Sequence, residues 1–422
     1  MTMGIWCAEF ELSGDTGPTG VVPYAGEDTQ RLLVRLHGEP IGYVTLKAAS
    51  DPLEVAWREL HGAISDHLRS EGISVADAPV ATRVLAATDR CPDLPVAAGG
   101  VSVVVCTRNR AAMLASCLDR LGLIDYPDVE FIVVDNAPSD DSTLQLVREV
   151  QARDPRFRYE LEERPGLSYA RNRGLAAARG KYIAYTDDDV SVDPHWVHGI
   201  VKGFRRNRDV QCVTGLVCTA AITNDAEAYF DARTSSWSSR CAPQLFDLTP
   251  ESRPNSLYPY SAGIFGTGAS FAFVRDSLIE IGGFDEALGA GTATRGGEDL
   301  DIFVRVLRGG GSIAYEPSAL VWHHHRADDK SLSDQMYGYG AGLTAYLTKL
   351  LLQRSTGFDV ISRVPAGLIR IGMIRRGTVK RMASPASRPK RMLSREFAGY
   401  LAGPILYARA RRTAARAGSA AR

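Results

Sequence analysis

The sequence lacks the marks of several protein classes. Its seven cysteines are odd in number, scattered and never spaced as a Cys-x-x-Cys pair. That argues against a disulfide framework and for reduced thiols in a cytosolic protein. Glu9 and Glu11 fall where a secretory leader would need an unbroken apolar stretch. No run of 18 or more uninterrupted apolar residues occurs, so no segment is expected to span a membrane. A phosphate loop is also missing. GLAAARGKY, 174–182, comes nearest, but Tyr182 stands where Ser or Thr is required. Net charge is absent too, with 49 Lys and Arg against 49 Asp and Glu. The balance is uneven along the chain, however. From residue 351 onward, 16 Lys or Arg face only Asp359 and Glu396. Such a tail points to an anionic partner. The segment contains no recognisable nucleic-acid module, so peripheral contact with an anionic membrane is expected and nucleic acid is not.

With 422 residues the chain should divide into two or three units. Residues 1–98 read as a small separate accessory module. RLLVRL, HGEP and IGYVTL suggest a hairpin, and EVAWRELHGAISDHL, 54–68, has apolar residues at helical spacing. No clustered chemistry is evident there, and CPDLPVAAGG, 91–100, reads as a linker. From 99 to 335 the pattern turns regular. VSVVVC, FIVVD, FRYEL and KYIAYT read as strands, alternating with the helical stretches RAAMLASCLDRLG, STLQLVREVQAR and LSYARNRGLAAARG. That alternation predicts an α/β fold with a doubly wound, mostly parallel sheet. Residues 336–422 read as a helical, basic C-terminal region. Leu, Ile and Met mixed with Arg suggest helices lying on a membrane surface.

In open parallel sheets, ligands bind beyond the carboxyl ends of the strands. Three of those ends carry polar chemistry: CTRNR at 106–110, DNAPSDD at 135–141 and TDDD at 186–189. Adjacent aspartates at roughly 6 to 7 Å repel by about 2 kcal/mol at an effective dielectric of about 20. A hard divalent cation bridging to a diphosphate would offset that crowding. GGEDLDIFVRVLRGG sets Glu298 and Asp299 at a helix start, where a carboxylate can serve as general base. Arg171 in GLSYARNRGL suits a phosphate near a helix N-terminus. VWHHHR places His323 and His325 on one face of an extended segment and His324 on the other.

Together VVVCTRNR, FIVVDNAPSDDST, GLSYARNRGLAAARGKYIAYTDDDV, GTGASFAFVRDSLIEIGGFDE, GGEDLDIFVRV and VWHHHR resemble the family 2 glycosyltransferases of the GT-A fold. The resemblance covers about 101–330 and implies an inverting transfer of a hexosyl or deoxyhexosyl group. The donor would be a nucleoside-diphosphate-sugar and the acceptor a hydroxyl, on a small molecule or on a lipid-linked or cell-envelope glycan. It further implies that Thr107, Arg108, Asp135, Arg171, Asp187 and Asp188 contact the nucleotide-sugar. Asp187 and Asp189 would form the DxD element that, with His323, holds Mg or Mn, with His325 as its competitor. Asp299 would take the acceptor proton. DNAPSDD departs from the commoner Asp-Asp-Gly-Ser form, which leaves the base preference open. Two rival readings remain. A sugar nucleotidyltransferase should carry a Gly-rich basic loop after its first strand, which CTRNR is not. A non-catalytic nucleotide-sugar-binding protein of the same fold would have no need of Asp299. The expected location is cytoplasmic, at most peripheral on the inner membrane face.

Overall fold

The computed structural model describes residues 4–14, 16–72, 94–96, 99–252, 255–381 and 392–420. The N-terminal module is a three-stranded sheet of β1 (Ile5–Glu11), β2 (Thr29–Leu36) and β3 (Glu39–Lys47), followed by α1 (Pro52–Ser70). β2 and β3 form the expected hairpin, turning at His37 and Gly38 with φ of +53° and +80°. Positive φ at both central residues matches the right-handed twist of the strands. Asp51 caps α1 by accepting from the Leu53 amide, and Val55, Ala56, Ile64 and Leu68 are buried in the module's own core.

This module does not stand apart. Cys7 and Leu33 enter the main hydrophobic core. Arg35 pairs with Asp193 at 2.6 Å, Lys202 reaches Glu39 at 2.6 Å, and Ile5 bonds to Ile222 through the backbone. The linker expected at 91–100 lies partly outside the described residues. Its described part is held in place, with the Val96 carbonyl accepting from Arg205 at 2.7 Å.

The central domain runs β4 (Val101–Thr107), α2 (Ala111–Gly122), β5 (Val129–Asn136), α3 (Ser142–Arg153), β6 (Phe157–Glu162), α4 (Leu167–Ala177), β7 (Tyr182–Asp187) and β8 (Val190–Val192). It continues through α5 (Trp196–Phe204), β9 (Val210–Thr219), α6 (Asp225–Ser238), β10 (Gln244–Phe246), β11 (Phe271–Val274), α7 (Arg275–Glu280), α8 (Glu298–Arg308) and β12 (Ser312–His323). The strand order is β10-β12-β9-β11-β7-β4-β5-β6, with β8 paired to β12. β6, β5, β4, β7, β9 and β12 share a direction, while β8, β10 and β11 oppose it. Val104, Ile132 and Ile183 pack on one face of the sheet, and Val103, Val105 and Phe131 on the other. Both faces are therefore covered, which explains the continuous apolar runs.

The C-terminal region is helical, as its composition predicts: α9 (Asp329–Leu352), α10 (Gly357–Arg381) and α11 (Met392–Ala420). α9 and α11 touch backbone to backbone. A Cβ on Gly340 would sit 2.1 Å from the Glu396 carbonyl, and one on Gly399 2.3 Å from that of Tyr337. No described helix is long and apolar enough to cross a membrane.

Candidate active site

The ends of three neighbouring parallel strands assemble the site. In register, Thr107 of β4 lies beside Asp135 of β5, and Cys106 beside Asp187 of β7. The chain then turns through Asp188 and Asp189 into β8, whose Val190 pairs with His323 of β12. That antiparallel pairing brings the histidine segment, distant in sequence, onto the acidic triplet. Donor atoms of Asp187, Asp189 and His323 lie within 4.8 Å of one another.

The three aspartates occupy different environments. Asp188 accepts from the Thr107 hydroxyl at 2.7 Å and pairs with Arg110 Nη1 at 2.5 Å. Asp189 meets Arg110 Nη2 at 3.0 Å, Arg326 at 3.4 Å and His323 Nε2 at 3.4 Å. Burial opposes its ionisation, but His323 when protonated, together with Arg110 and Arg326, outweighs burial and holds the carboxyl below its ordinary range. Among the described residues, Asp187 pairs with Arg171 alone, at 3.6 Å. Burial first, then repulsion from Asp189 and Asp188, pushes the Asp187 carboxyl up to about 7 despite that guanidinium. Ionising Asp187 therefore creates negative charge that the neighbouring cations balance poorly. Two carboxylates and an imidazole form a donor set that suits Mg or Mn, so the residues present fit such an ion.

Some side chains expected on the nucleotide are engaged by other groups of the protein. Thr107 and Asp188 bond to each other. Arg171 is not an exposed phosphate ligand at a helix start. It is the fifth residue of α4 and only 3 % exposed. Its guanidinium meets Glu298 Oε1 at 3.1 Å as well as Asp187, donates to the Gly268 carbonyl, and lies over the Phe271 and Phe284 rings. It ties the strand-end acids to the start of α8, which Gly297 enters with φ of +92°. Asp299 is half-buried beside this bridge. Burial raises its carboxyl, against the pull of Arg171. Acids from β7 and α8 thus converge on one guanidinium.

Asp135 is fully buried, takes the Tyr159 hydroxyl at 3.1 Å on Oδ2, and among the described residues has no hydrogen-bond partner on Oδ1. An orphaned acceptor at a strand end is suited to a donor group of a ligand. Arg108 is exposed at the rim. His323 and His325 do share a side, with Nδ1 atoms 3.0 Å apart, while His324 turns to Ser191. Of the pair, His323 faces the acids and His325 faces Thr219.

Several contributors were not singled out from sequence: Arg110, Arg326, Glu298 as the partner of Arg171, and Asn136, which accepts from the Gly166 amide ahead of α4 at 2.8 Å. Arg110 stands in the same CTRNR strand end as Thr107, and that position was its only signal. The N-terminal module holds a cluster that its sequence did not suggest. There Glu71 lies 2.6 Å from His37 and 3.2 Å from His67, joining the hairpin turn to the end of α1.

Residues 102–281 match the family model described as Glycosyl transferase family 2. Among curated proteins, the pre-mycofactocin glycosyltransferase of Mycobacterium tuberculosis is 29% identical over 161 residues, 38% of this chain and 30% of that protein. The glucosyl-dolichyl phosphate glucuronosyltransferase of Haloferax volcanii is 25% identical over 191 residues, 45% of this chain and 57% of that one. The succinoglycan biosynthesis protein ExoO of Rhizobium meliloti is 28% identical over 241 residues, 57% and 63% respectively. The chain thus spans between about a third and two thirds of the length of these curated relatives. Among solved structures, the mannosyltransferase PcManGT from Pyrobaculum calidifontis, in complex with GDP-Man and Mn2+, aligns with a TM-score of 0.49 at 17% identity. The alignment covers 74% of this chain and 89% of that one. The six motifs thus stand in order in and around the stretch, residues 102–281, that is similar to family 2 glycosyltransferases, and there the acids of β7 and α8 meet at Arg171.

Proposed function

We propose that this chain is a metal-dependent, inverting glycosyltransferase. It would move a hexosyl or deoxyhexosyl group from a nucleoside-diphosphate-sugar to a hydroxyl acceptor. The observation that carries the reading is the gathering of Asp187, Asp189 and His323 within 4.8 Å, with Arg171 bridging Asp187 to the Glu298–Asp299 pair. Asp187, Asp189 and His323 would hold a Mg or Mn ion, which when bound supplies Lewis acidity to the departing diphosphate. Asp135 offers its free Oδ1 to a donor group of the nucleoside, and Arg108 offers an exposed guanidinium at the mouth of the site. Asp299 accepts the acceptor's hydroxyl proton, freeing the oxygen to displace the diphosphate in one step with inversion. The raised carboxyl of Asp299 suits that task, because a base works best with a pKa near the working pH. Glu298 is spoken for by Arg171 and acts as scaffold.

A lipid-linked or cell-envelope glycan is the acceptor we favour. It is supported by similarity to the glucosyl-dolichyl phosphate glucuronosyltransferase of Haloferax volcanii, whose name specifies a lipid-linked substrate. It also agrees with an exposed apolar and basic face on α10 and α11 that would hold the protein at an anionic membrane surface. The test is incubation of the purified chain with UDP-, GDP- and dTDP-sugars and Mg or Mn. Metal-dependent release of nucleoside diphosphate is expected, whereas consumption of pyrophosphate would mark a nucleotidyltransferase. Asp299→Asn should retain nucleotide binding while transfer falls by about 100-fold or more, the usual share of a general base. Unchanged turnover would remove Asp299 from that role.

A further inference from the structure

The mechanism leaves His325 unused, yet its ring is packed 4.6 Å from that of Phe230 and beside the proposed cation ligand. Its contacts form one continuous line. His323 Nδ1 and His325 Nδ1 are 3.0 Å apart, and His325 Nε2 is 3.0 Å from Thr219 Oγ1 at the end of β9. Thr219 donates to Asp231 Oδ1 of α6 at 2.6 Å. Both Asp231 oxygens receive Arg31 of β2 at 2.8 Å. The line begins at the cation ligands and ends in the N-terminal module.

Its direction follows from what each group can donate. A guanidinium only donates, an ionised carboxylate only accepts, and a hydroxyl has a single proton. The Thr219 proton goes to Asp231, so its oxygen must accept from His325 Nε2–H. A neutral His325 protonated there can offer only a lone pair at Nδ1, so His323 Nδ1–H donates to it. The neutral His323 ring is then left with its lone pair on Nε2, the atom 3.4 Å from Asp189 Oδ1. Two acceptors facing each other across that gap call for a cation between them.

We propose that Arg31, Asp231, Thr219 and His325 are positioning residues that fix the His323 tautomer and present Nε2 to the cation site. The N-terminal module thereby contributes to the catalytic domain through Arg31. The proposal rests on the metal reading of Asp187, Asp189 and His323. Partners that hold the second nitrogen of a ligand imidazole commonly govern metal affinity by 10- to 100-fold.

Mn2+ binding to the full chain, followed through the electron paramagnetic resonance of the free ion with no donor present, tests this. Thr219→Val, which keeps the shape and removes the acceptor, should weaken binding about 10-fold, and Thr219→Ser should stay within about 2-fold of wild type. Arg31→Met should weaken it in the same direction; if that variant fails to fold, the Thr219 pair still decides. A metal-free readout comes from nitrogen chemical shifts of labelled histidine. His323 should carry its proton on Nδ1 and His325 on Nε2, with that order lost in Thr219→Val. Equal Mn2+ affinity in Thr219→Val, an equal loss in Thr219→Ser, or His323 protonated on Nε2 alone would overturn the relay. A wild-type chain that binds no Mn2+ would instead sink the metal reading, which the tautomers do not depend on.

Discussion

Arg171 carries the heaviest demand of any single side chain. Its guanidinium is almost fully buried between Asp187 and Glu298 and stacked on two phenylalanine rings. Removing one member of a buried ion pair commonly costs about 3–5 kcal/mol, because the remaining charge has no partner. Here the buried Glu298 would be stranded, and Asp187, about a third exposed, would lose its neighbouring guanidinium. Arg171→Lys is not conservative at such a site, since an ammonium can neither fork to both acids nor stack in the same way. We expect that variant to melt well below wild type and to lose transfer. Arg171→Met with Glu298→Gln should recover much of the melting temperature and none of the transfer. Thermal denaturation and nucleoside diphosphate release, measured on the same preparations, separate the two effects. Recovery of transfer in the double variant would show that Arg171 serves only the fold.

Between elements, the join that matters is the one between β2 and α6 through Arg31 and Asp231. Burial alone would raise the Asp231 carboxyl, but hydrogen bonds from Arg31 outweigh it and hold the group below the usual Asp value. A carboxyl depressed in the folded state contributes stability above its unfolded value, near pH 4. That stability is lost as pH falls below this point toward the depressed value. The melting temperature should therefore fall on acidification from about pH 5 to pH 3, and Asp231→Asn should flatten that slope while starting lower. An unchanged slope would mean that Asp231 does not link docking to pH. This join also marks where the sequence stopped being legible. Periods of two and 3.6 name the strands of the sheet and the helices that cover it, because burial of a face is a local property. The polar strand ends could be read for the same reason: CTRNR, DNAPSDD and TDDD each follow an apolar run directly. Partners were another matter. Arg31 and Asp231 are 200 residues apart, and Arg171 and Glu298 are 127 apart. Nothing in either local pattern says which acid a given arginine will meet, and so the accessory module read as separate and Arg171 read as a phosphate ligand.

At the scale of the whole molecule, the exposed apolar residues are unevenly distributed. Phe358 is 85 % exposed, Leu368 67 % and Ile369 65 % on α10, with Leu401 at 66 % and Ile405 at 60 % on α11. Soluble surfaces seldom gather so many large apolar side chains without a partner. Arg354, Arg370, Arg376 and Lys380 are exposed in the same region, whereas its two acids are occupied, Asp359 by Arg363 and Glu396 by Arg233. The net positive field fits an anionic bilayer, where each basic residue near the surface contributes about 1 kcal/mol and each inserted apolar side chain up to about 1.5–3 kcal/mol. The chain should co-sediment with vesicles containing phosphatidylglycerol and much less with pure phosphatidylcholine, and added salt should weaken the binding. Phe358→Ser with Leu368→Ser should reduce it by about 10-fold or more, because each change removes the better part of an inserted side chain. No binding at low salt, or binding indifferent to the two serines, would sink the membrane reading. A concentration-dependent dimer in sedimentation velocity, abolished by those same serines, would assign this face to a second copy of the chain. If vesicles do bind, adding them should raise transfer to a lipid-linked acceptor while leaving slow donor hydrolysis unchanged, since the surface concentrates the acceptor and does not touch the acids at the strand ends.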